Sequence, residues 1–307
     1  MAILRFPFCK KPARPKGDIA DLLQGYSIEV MPRTAAKVED FRALLPEGTR
    51  VYIAHIEGTE IADMVGTAKR LADDGFPVMP HIPARIVPDR ATLDDWLSRY
   101  ASEAGVDQAL VLAGGSREPV GEFHSSMQLL ETGLFDKHGM KRLHVAGHPE
   151  GNRDIDFDGS TRLVDDAATW KQAFADRTGA EMAMVTQFVF EAQPVLDWIA
   201  RLRSAGVTLP VHVGVAGPAK LQTLLKFAVA CGVGPSLSVL QKRAKDVTRL
   251  VAPFEPTDVL AELARNRSSD IAGIHVFPLG GIKAAAEYAA RVTEEARTSS
   301  PKPNAKP

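Results

Sequence analysis

Eight short apolar runs, each separated from the next by a stretch with helical spacing, constrain this chain more than any other feature. The strand-like runs fall near 26–31, 50–56, 77–82, 108–113, 142–147, 182–189, 210–216 and 272–277. Between them the apolar period lengthens. Ile61, Met64, Val65, Ala68 and Leu71 mark a helix over 60–74 that Gly75 stops. Asp89 is placed to cap a helix that begins around Thr92 and ends near Gly105. Val195, Leu196, Trp198, Ile199 and Leu202 mark 192–205, and further helices are expected over 162–178, 218–231 and 282–296. Strict alternation gives a parallel sheet, and eight repeats are the count of an α/β fold of the TIM (β/α)8 barrel type. The stretch from Gly232 to Asp270 exceeds one connection and predicts extra helices before the last strand, Ser236–Lys245 and Pro256–Asn266. A doubly wound open sheet is the alternative. Its glycine fingerprint is missing, because neither Ala113-Gly114-Gly115 nor Gly214-Val215-Ala216-Gly217 has the third spaced glycine.

The barrel is expected to occupy 25–297. Residues 1–24, with the basic, proline-rich Lys10–Lys16, read as a leading arm, and 298–307 as a disordered tail with nothing to bury. Lys+Arg 37 against Asp+Glu 38 supplies no basic field for nucleic acid. Cys9 and Cys231 cannot build a disulfide framework and read as free thiols. No stretch approaches the roughly 20 apolar residues of a membrane span, and the first residues lack a signal-peptide core. The expectation is a cytoplasmic protein with no membrane or nucleic-acid partner, homo-oligomerisation being left open.

Parallel barrels bind ligands beyond the carboxyl ends of their strands, and here those ends carry polar residues. In Ser27-Ile28-Glu29-Val30-Met31-Pro32, alternation puts Glu29 and Ser27 on one face. A buried carboxylate is costly to ionise, so Glu29 is expected to have a raised pKa suited to a proton donor; a salt-bridged glutamate is the bland reading. His81 ends the third run. His148-Pro149-Glu150 ends the fifth on a proline-stiffened corner, with both polar side chains able to bond a heterocycle or phosphate. Thr186, Gln187 and Phe188 lie in an otherwise apolar run, where a buried amide suits the edge of a pterin or flavin. Gly114-Gly115 and Gly280-Gly281 permit close backbone approach, or are plain turns. His55, Glu57, His212 and His275 on barrel strands leave open a metal-dependent hydrolase, although no strand carries a His-x-His pair.

In order, these motifs resemble the methylenetetrahydrofolate reductase family over roughly 25–295. Ser27-Ile28-Glu29-Val30-Met31-Pro32-Arg33-Thr34 is similar to the family's FEFFPPRT, His148-Pro149-Glu150 to YPE, and Val185–Phe190 to ITQFFF. The resemblance implies reduction of 5,10-methylenetetrahydrofolate to 5-methyltetrahydrofolate by NADH or NADPH through bound FAD. By that resemblance Glu29 is the acid, Gln187 holds the pterin with Thr186 and Phe188 beside it, and His81, Gly114, Gly115, His148 and Glu150 border the flavin. Lys171 and Asp166 match the family's flavin-binding lysine and an upstream acidic position. The chain departs from the family where Ala113-Gly114-Gly115 replaces Arg-Gly-Asp and Trp170-Lys171-Gln172-Ala173 replaces Leu-Lys-x-Lys. Either Arg153, Arg117 or the basic arm supplies the missing charge, or hydride passes directly from the nicotinamide to the folate. A non-catalytic folate-binding barrel is the alternative from a different class.

Overall fold

A computed structural model describes residues 16–230, 253–266 and 270–299. Strands β1 (Ser27–Val30), β2 (Val51–Ile53), β3 (Val78–Pro83), β4 (Gln108–Leu112), β5 (Arg142–Gly147), β6 (Glu181–Val189), β7 (Val211–Ala216) and β8 (Ile271–Phe277) pair in that order, all parallel, and β8 closes on β1. This is the TIM (β/α)8 barrel that the alternation predicts. The chain-order helices are α1 (Lys16–Leu23), α2 (Pro32–Ala35), α3 (Ile61–Asp73), α4 (Arg90–Ala104), α5 (Ser126–Glu131) and α6 (Leu134–Lys137). They continue with α7 (Arg162–Thr178), α8 (Gln193–Ser204), α9 (Leu221–Ala230), α10 (Thr257–Arg265) and α11 (Ile282–Ser299).

The helices form where capping and patterning agree. The Asp89 carboxylate accepts the Thr92 N–H at 2.7 Å, and Gly105 ends α4 at φ +62°, a conformation that costs glycine little. Leu93, Leu97 and Tyr100 of that helix are buried. Beneath the helices, the outward faces of the strands supply one continuous core that includes Ile28, Val51, Ile53, Val111, Val145, Val213 and Ile274. Each such side chain contributes about 1.5–3 kcal/mol by leaving water.

Two stretches differ from the sequence expectation. Residues 16–23, expected in the arm, form α1, which buries Ile19, Leu22 and Leu23 against α10 and α11. Short α5 and α6 occupy the β4–β5 connection, where the apolar pattern is too brief to read. The expected helix Pro256–Asn266 is α10, whereas Ser236–Lys245, Cys9 and Cys231 lie outside the described residues, as do 300–307 of the expected tail.

The register decides what fills the barrel. Glu29 pairs with Tyr52 and Tyr52 with Met79; His81 pairs with Leu110 and Leu110 with His144; Gly214 pairs with His275 and His275 with Ser27. Partners in register share a face, so these residues form the inward row. Among the described residues two irregularities interrupt the register, one between Val211 and His212 in the β7–β8 pairing and one in β6 that reshapes the row. Val185 pairs with His212 but Phe188 with Gly214, so β6 carries one extra residue at Thr186–Gln187, a β-bulge. The Thr186 hydroxyl accepts the Gly214 N–H at 2.9 Å and donates to the Gln187 carbonyl at 2.7 Å, which stitches the bulge to β7.

The bulged carbonyls occupy the space a side chain on Gly214 would need. A Cβ there would lie 2.5 Å from the Thr186 oxygen, 2.6 Å from the Gln187 oxygen and 2.7 Å from the Phe277 ring. Gly214→Ala is therefore expected to destabilise the barrel by about 1–3 kcal/mol, read as a lower urea midpoint. A midpoint at the wild-type value would show that the bulge yields without cost.

Candidate functional site

Glu29 stands near the carboxyl end of β1, where the barrel opens, with its side chain 19% exposed. Directly beyond it Pro32 starts α2, and the Thr34 hydroxyl both accepts the Met31 N–H and donates to the Met31 carbonyl, each at 2.9 Å. This tight turn fixes the strand end that carries the carboxylate. His81 Nε2 lies 3.3 Å from Glu29 Oε2, an ion-pair separation without the alignment of a full hydrogen bond, and His275 Nε2 lies 3.9 Å from the same oxygen. The Ser27 hydroxyl is 2.9 Å from His275 Nδ1. With Ser27 donating to Nδ1, the remaining N–H of His275 faces the carboxylate.

These neighbours reverse the expectation for Glu29. Burial pushes its carboxyl up, but the proximity of the His275 and His81 rings outweighs burial and lowers it to about 2. Glu29 is thus a carboxylate at neutral pH rather than the raised-pKa acid that its pattern implied. Alternation identifies an inward-facing acid but not the two imidazoles that meet it from β3 and β8.

A second polar group lies deeper along the barrel axis. Tyr52 O–H is 2.6 Å from His144 Nδ1, and its ring packs 4.4 Å from His275, centroid to centroid. The His144 and His212 rings lie 4.8 Å apart. Burial lowers the pKa of both histidines, aided by nearby arginine charge, with His212 brought to about 4 and His144 held well below its ordinary value. Burial likewise pushes the Tyr52 phenol up. Tyr52 escaped the sequence reading, although its position between Val51 and Ile53 is the signal: one polar ring facing inward between two outward aliphatics.

The remaining sequence-chosen residues scatter. Gln187, expected to be buried, is exposed at the bulge. Phe188 is buried and packs edge-on to Phe190 and to Phe277, whose ring also meets His275 at 4.7 Å. This apolar wall stands on the β6–β8 side of the barrel. Thr186 is occupied by its bulge. His148 and Glu150 are half-buried at the end of β5, where burial and then the Lys171 charge lower His148 to about 4. Lys171 on α7 is only 5% exposed and donates to the Ala146 carbonyl at 2.9 Å; burial brings its ammonium down to about 8. Asp166 is on the solvent side of α7, 3.9 Å from Arg162. Gly114 adopts φ +95° against Pro83, and Gly115 is exposed. His55 bonds the Thr59 carbonyl and packs on Trp96, apart from the Glu29 group. Glu57 accepts the Ser116 hydroxyl at 2.9 Å, tying the β2 and β4 loops together.

Among the described residues no three His, Cys, Asp or Glu side chains converge as a metal site, and no helix is long and apolar enough to cross a membrane. No family model matches the chain. A solved structure similar to it is an uncharacterised protein from Clostridium thermocellum that binds two copies of 5-methyl-5,6,7,8-tetrahydrofolic acid. It is 14% identical, with 92% of this chain and 98% of that one covered, at a TM-score of 0.53. Two dihydropteroate synthases follow. That of Yersinia pestis, with a pterine-sulfa conjugate, is 15% identical, with coverage of 89% and 94% and a TM-score of 0.44. That of Thermus thermophilus is 16% identical, with coverage of 87% and 91% and a TM-score of 0.42. At such identities the first of these likenesses is one of fold.

The buried histidines set an acid limit on the barrel. An unfolded histidine titrates near 6.5, whereas His212 in the fold titrates near 4. Between these values the unfolded chain binds more protons, so stability rises with pH through that window. Glu29 adds stability above about 4.5 that is lost as pH falls toward 2. Melting temperature is expected to fall as pH drops below about 6.5, and His212→Gln to reduce the slope by about one proton. An unchanged slope in that variant would place the titration elsewhere.

Proposed function

We propose that this chain binds a reduced folate at the carboxyl-end mouth of its barrel, with Glu29 as the anchor. The observation that carries this reading is an ionised carboxylate fixed at the mouth by a stiff turn, with His81 and His275 behind it. A 2-amino-4-oxopterin presents an amine N–H and a ring N–H side by side, and a carboxylate accepts such a pair as two charge-assisted hydrogen bonds. Phe188 and Phe277 add an apolar wall near His275, suited to a flat heterocycle. The order of sequence motifs supports the same ligand class. So does the shared fold with a protein that binds 5-methyltetrahydrofolic acid.

The finer reading is reduction of 5,10-methylenetetrahydrofolate to its 5-methyl form. The residues that the resemblance assigns to a flavin do not fit one. Lys171, the cation meant for the pyrophosphate, is buried and spends its ammonium on the Ala146 carbonyl. Asp166 faces away on α7, and the turn at 113–115 offers no acid. The reductase reading therefore rests on direct hydride transfer from NADH or NADPH. Opening the methylene bridge also takes up a proton. An ionised Glu29 holds no proton of its own, so on this reading it takes one up from solvent at the mouth, where its side chain is 19% exposed, before passing it on.

Binding is tested by calorimetric titration with 5-methyltetrahydrofolate. Loss of charge-assisted hydrogen bonds in Glu29→Gln is expected to weaken affinity by about 10- to 100-fold with the circular dichroism spectrum retained; equal affinity would dismiss Glu29 as the anchor. Turnover separates the two readings. NADH or NADPH oxidation dependent on 5,10-methylenetetrahydrofolate, and lost in Glu29→Gln, supports the reductase. Tight folate binding with no oxidation of either nucleotide leaves a binding protein.

A further inference from the structure

The amino-terminal end of the barrel, opposite the mouth, holds a cavity of about 280 Å³. Its polar lining comes from Arg50, Arg142, His144, Glu181 and His212, at or near the starts of their strands. The tyrosine–aliphatic layer of Tyr52, Met79, Leu110 and Val185 lies inside the barrel. Its volume is below the range of about 300–1,000 Å³ usual for larger organic ligands.

The charges in this cavity do not balance. Arg142 directs both Nε and Nη2 to a single oxygen of Glu181. Arg50 uses Nε on the neutral Gln108 amide at 2.9 Å and has no carboxylate within ion-pair distance among the described residues. Burial lowers the Arg50 pKa; the Arg142 charge adds to that, while Tyr52 and the Glu181 carboxylate oppose it. The His212 ring nitrogens make no hydrogen bond to the described residues. Space for that ring comes from Gly273, where a Cβ would lie 3.2 Å from His212 Nδ1. His144, held at Nδ1 by Tyr52, has its second nitrogen left on the far side of the ring. Two guanidinium groups against one carboxylate, itself 61% exposed, leave a surplus of positive charge at this end of the barrel that favours a counter-anion.

We propose that this cavity is a small-oxyanion site, in which Arg50 and Arg142 take a phosphate- or carboxylate-sized anion and His212 and His144 complete its hydrogen bonding. Arginine's planar fork suits either class of anion. The site stands apart from the Glu29 mouth, and its ligand does not depend on the folate reading.

The test is calorimetric titration and thermal denaturation of the full chain with inorganic phosphate, and in a second arm with malonate. Sodium chloride of equal ionic strength serves as reference. Saturable binding of one anion per chain, with a melting temperature above that in chloride, is expected in at least one arm. A phosphate response marks an inorganic ligand and a malonate response an organic acid. Arg50→Gln should weaken that binding by about tenfold or more. His212→Phe, which fills the cavity with an apolar ring, should abolish it. Folate titration at the mouth should be unchanged in both variants. Absence of saturable binding in both arms would overturn the proposal, as would wild-type affinity in His212→Phe. The latter variant decides alone if Arg50→Gln does not fold.

Discussion

The hydrogen bond between Ser27 and His275 lies on the seam where the last strand meets the first, and the polar interior is organised around it. Ser27 and His275 are also register partners across that seam. Their side chains therefore meet only when the eighth strand has closed on the first. The same bond orients the His275 ring toward Glu29, and the ring in turn packs on Tyr52, which holds His144. A barrel must fill its own centre, and layers of branched aliphatics are the usual solution. Here that filling includes the imidazoles of His81, His144 and His275, the Tyr52 phenol and the Glu29 carboxylate. Each such group needs a partner, since an unpaired buried polar atom costs about 1–3 kcal/mol.

Electrostatics then assigns different characters to similar residues. Glu29 and the histidines are all withdrawn from water, yet burial prevails for His144 and His212 and is outweighed for Glu29. The difference lies in the neighbours. Glu29 faces two rings that favour its charge, whereas His144 and His212 face one another and two arginines, which disfavour theirs. One end of the barrel thus carries a fixed negative charge and the other a surplus of positive charge, with the apolar layer of Met79, Leu110 and Val185 inside the barrel. The flavin-like positions obey the same logic. Lys171 is a cation in sequence, but in the fold it serves as an internal donor to Ala146.

Much of this was legible in the chain. The eight strands fall within a few residues of the apolar runs because a strand buried on both faces announces itself as a short apolar segment. Alternation set Glu29 on the face opposite Ile28 and Val30, and His81 was read as ending its run although β3 continues through it to Pro83; that both face inward was decided by the barrel's closure. Gln187 was misjudged because the bulge at 186–187 breaks that period; a single extra residue relative to β7 leaves no mark in β6 alone. Helix α1 was hidden because its apolar residues acquire a partner only when α10 and α11 pack beside it.

The sequence by itself determined the barrel and several of the polar residues at its strand ends, because these follow from local periodicity and the rules of parallel connection, but it left Tyr52 and His144 of the inward row unread. Tertiary structure alone decided what those residues are. Glu29 is ionised because His81 and His275 arrive from β3 and β8. His144 and His212 are neutral because burial brings them together, and Arg50 meets Arg142 only through closure of the sheet. Protonation state depends on distances of a few ångströms between residues as many as 246 positions apart, Glu29 and His275 being the example. No local pattern encodes such a distance.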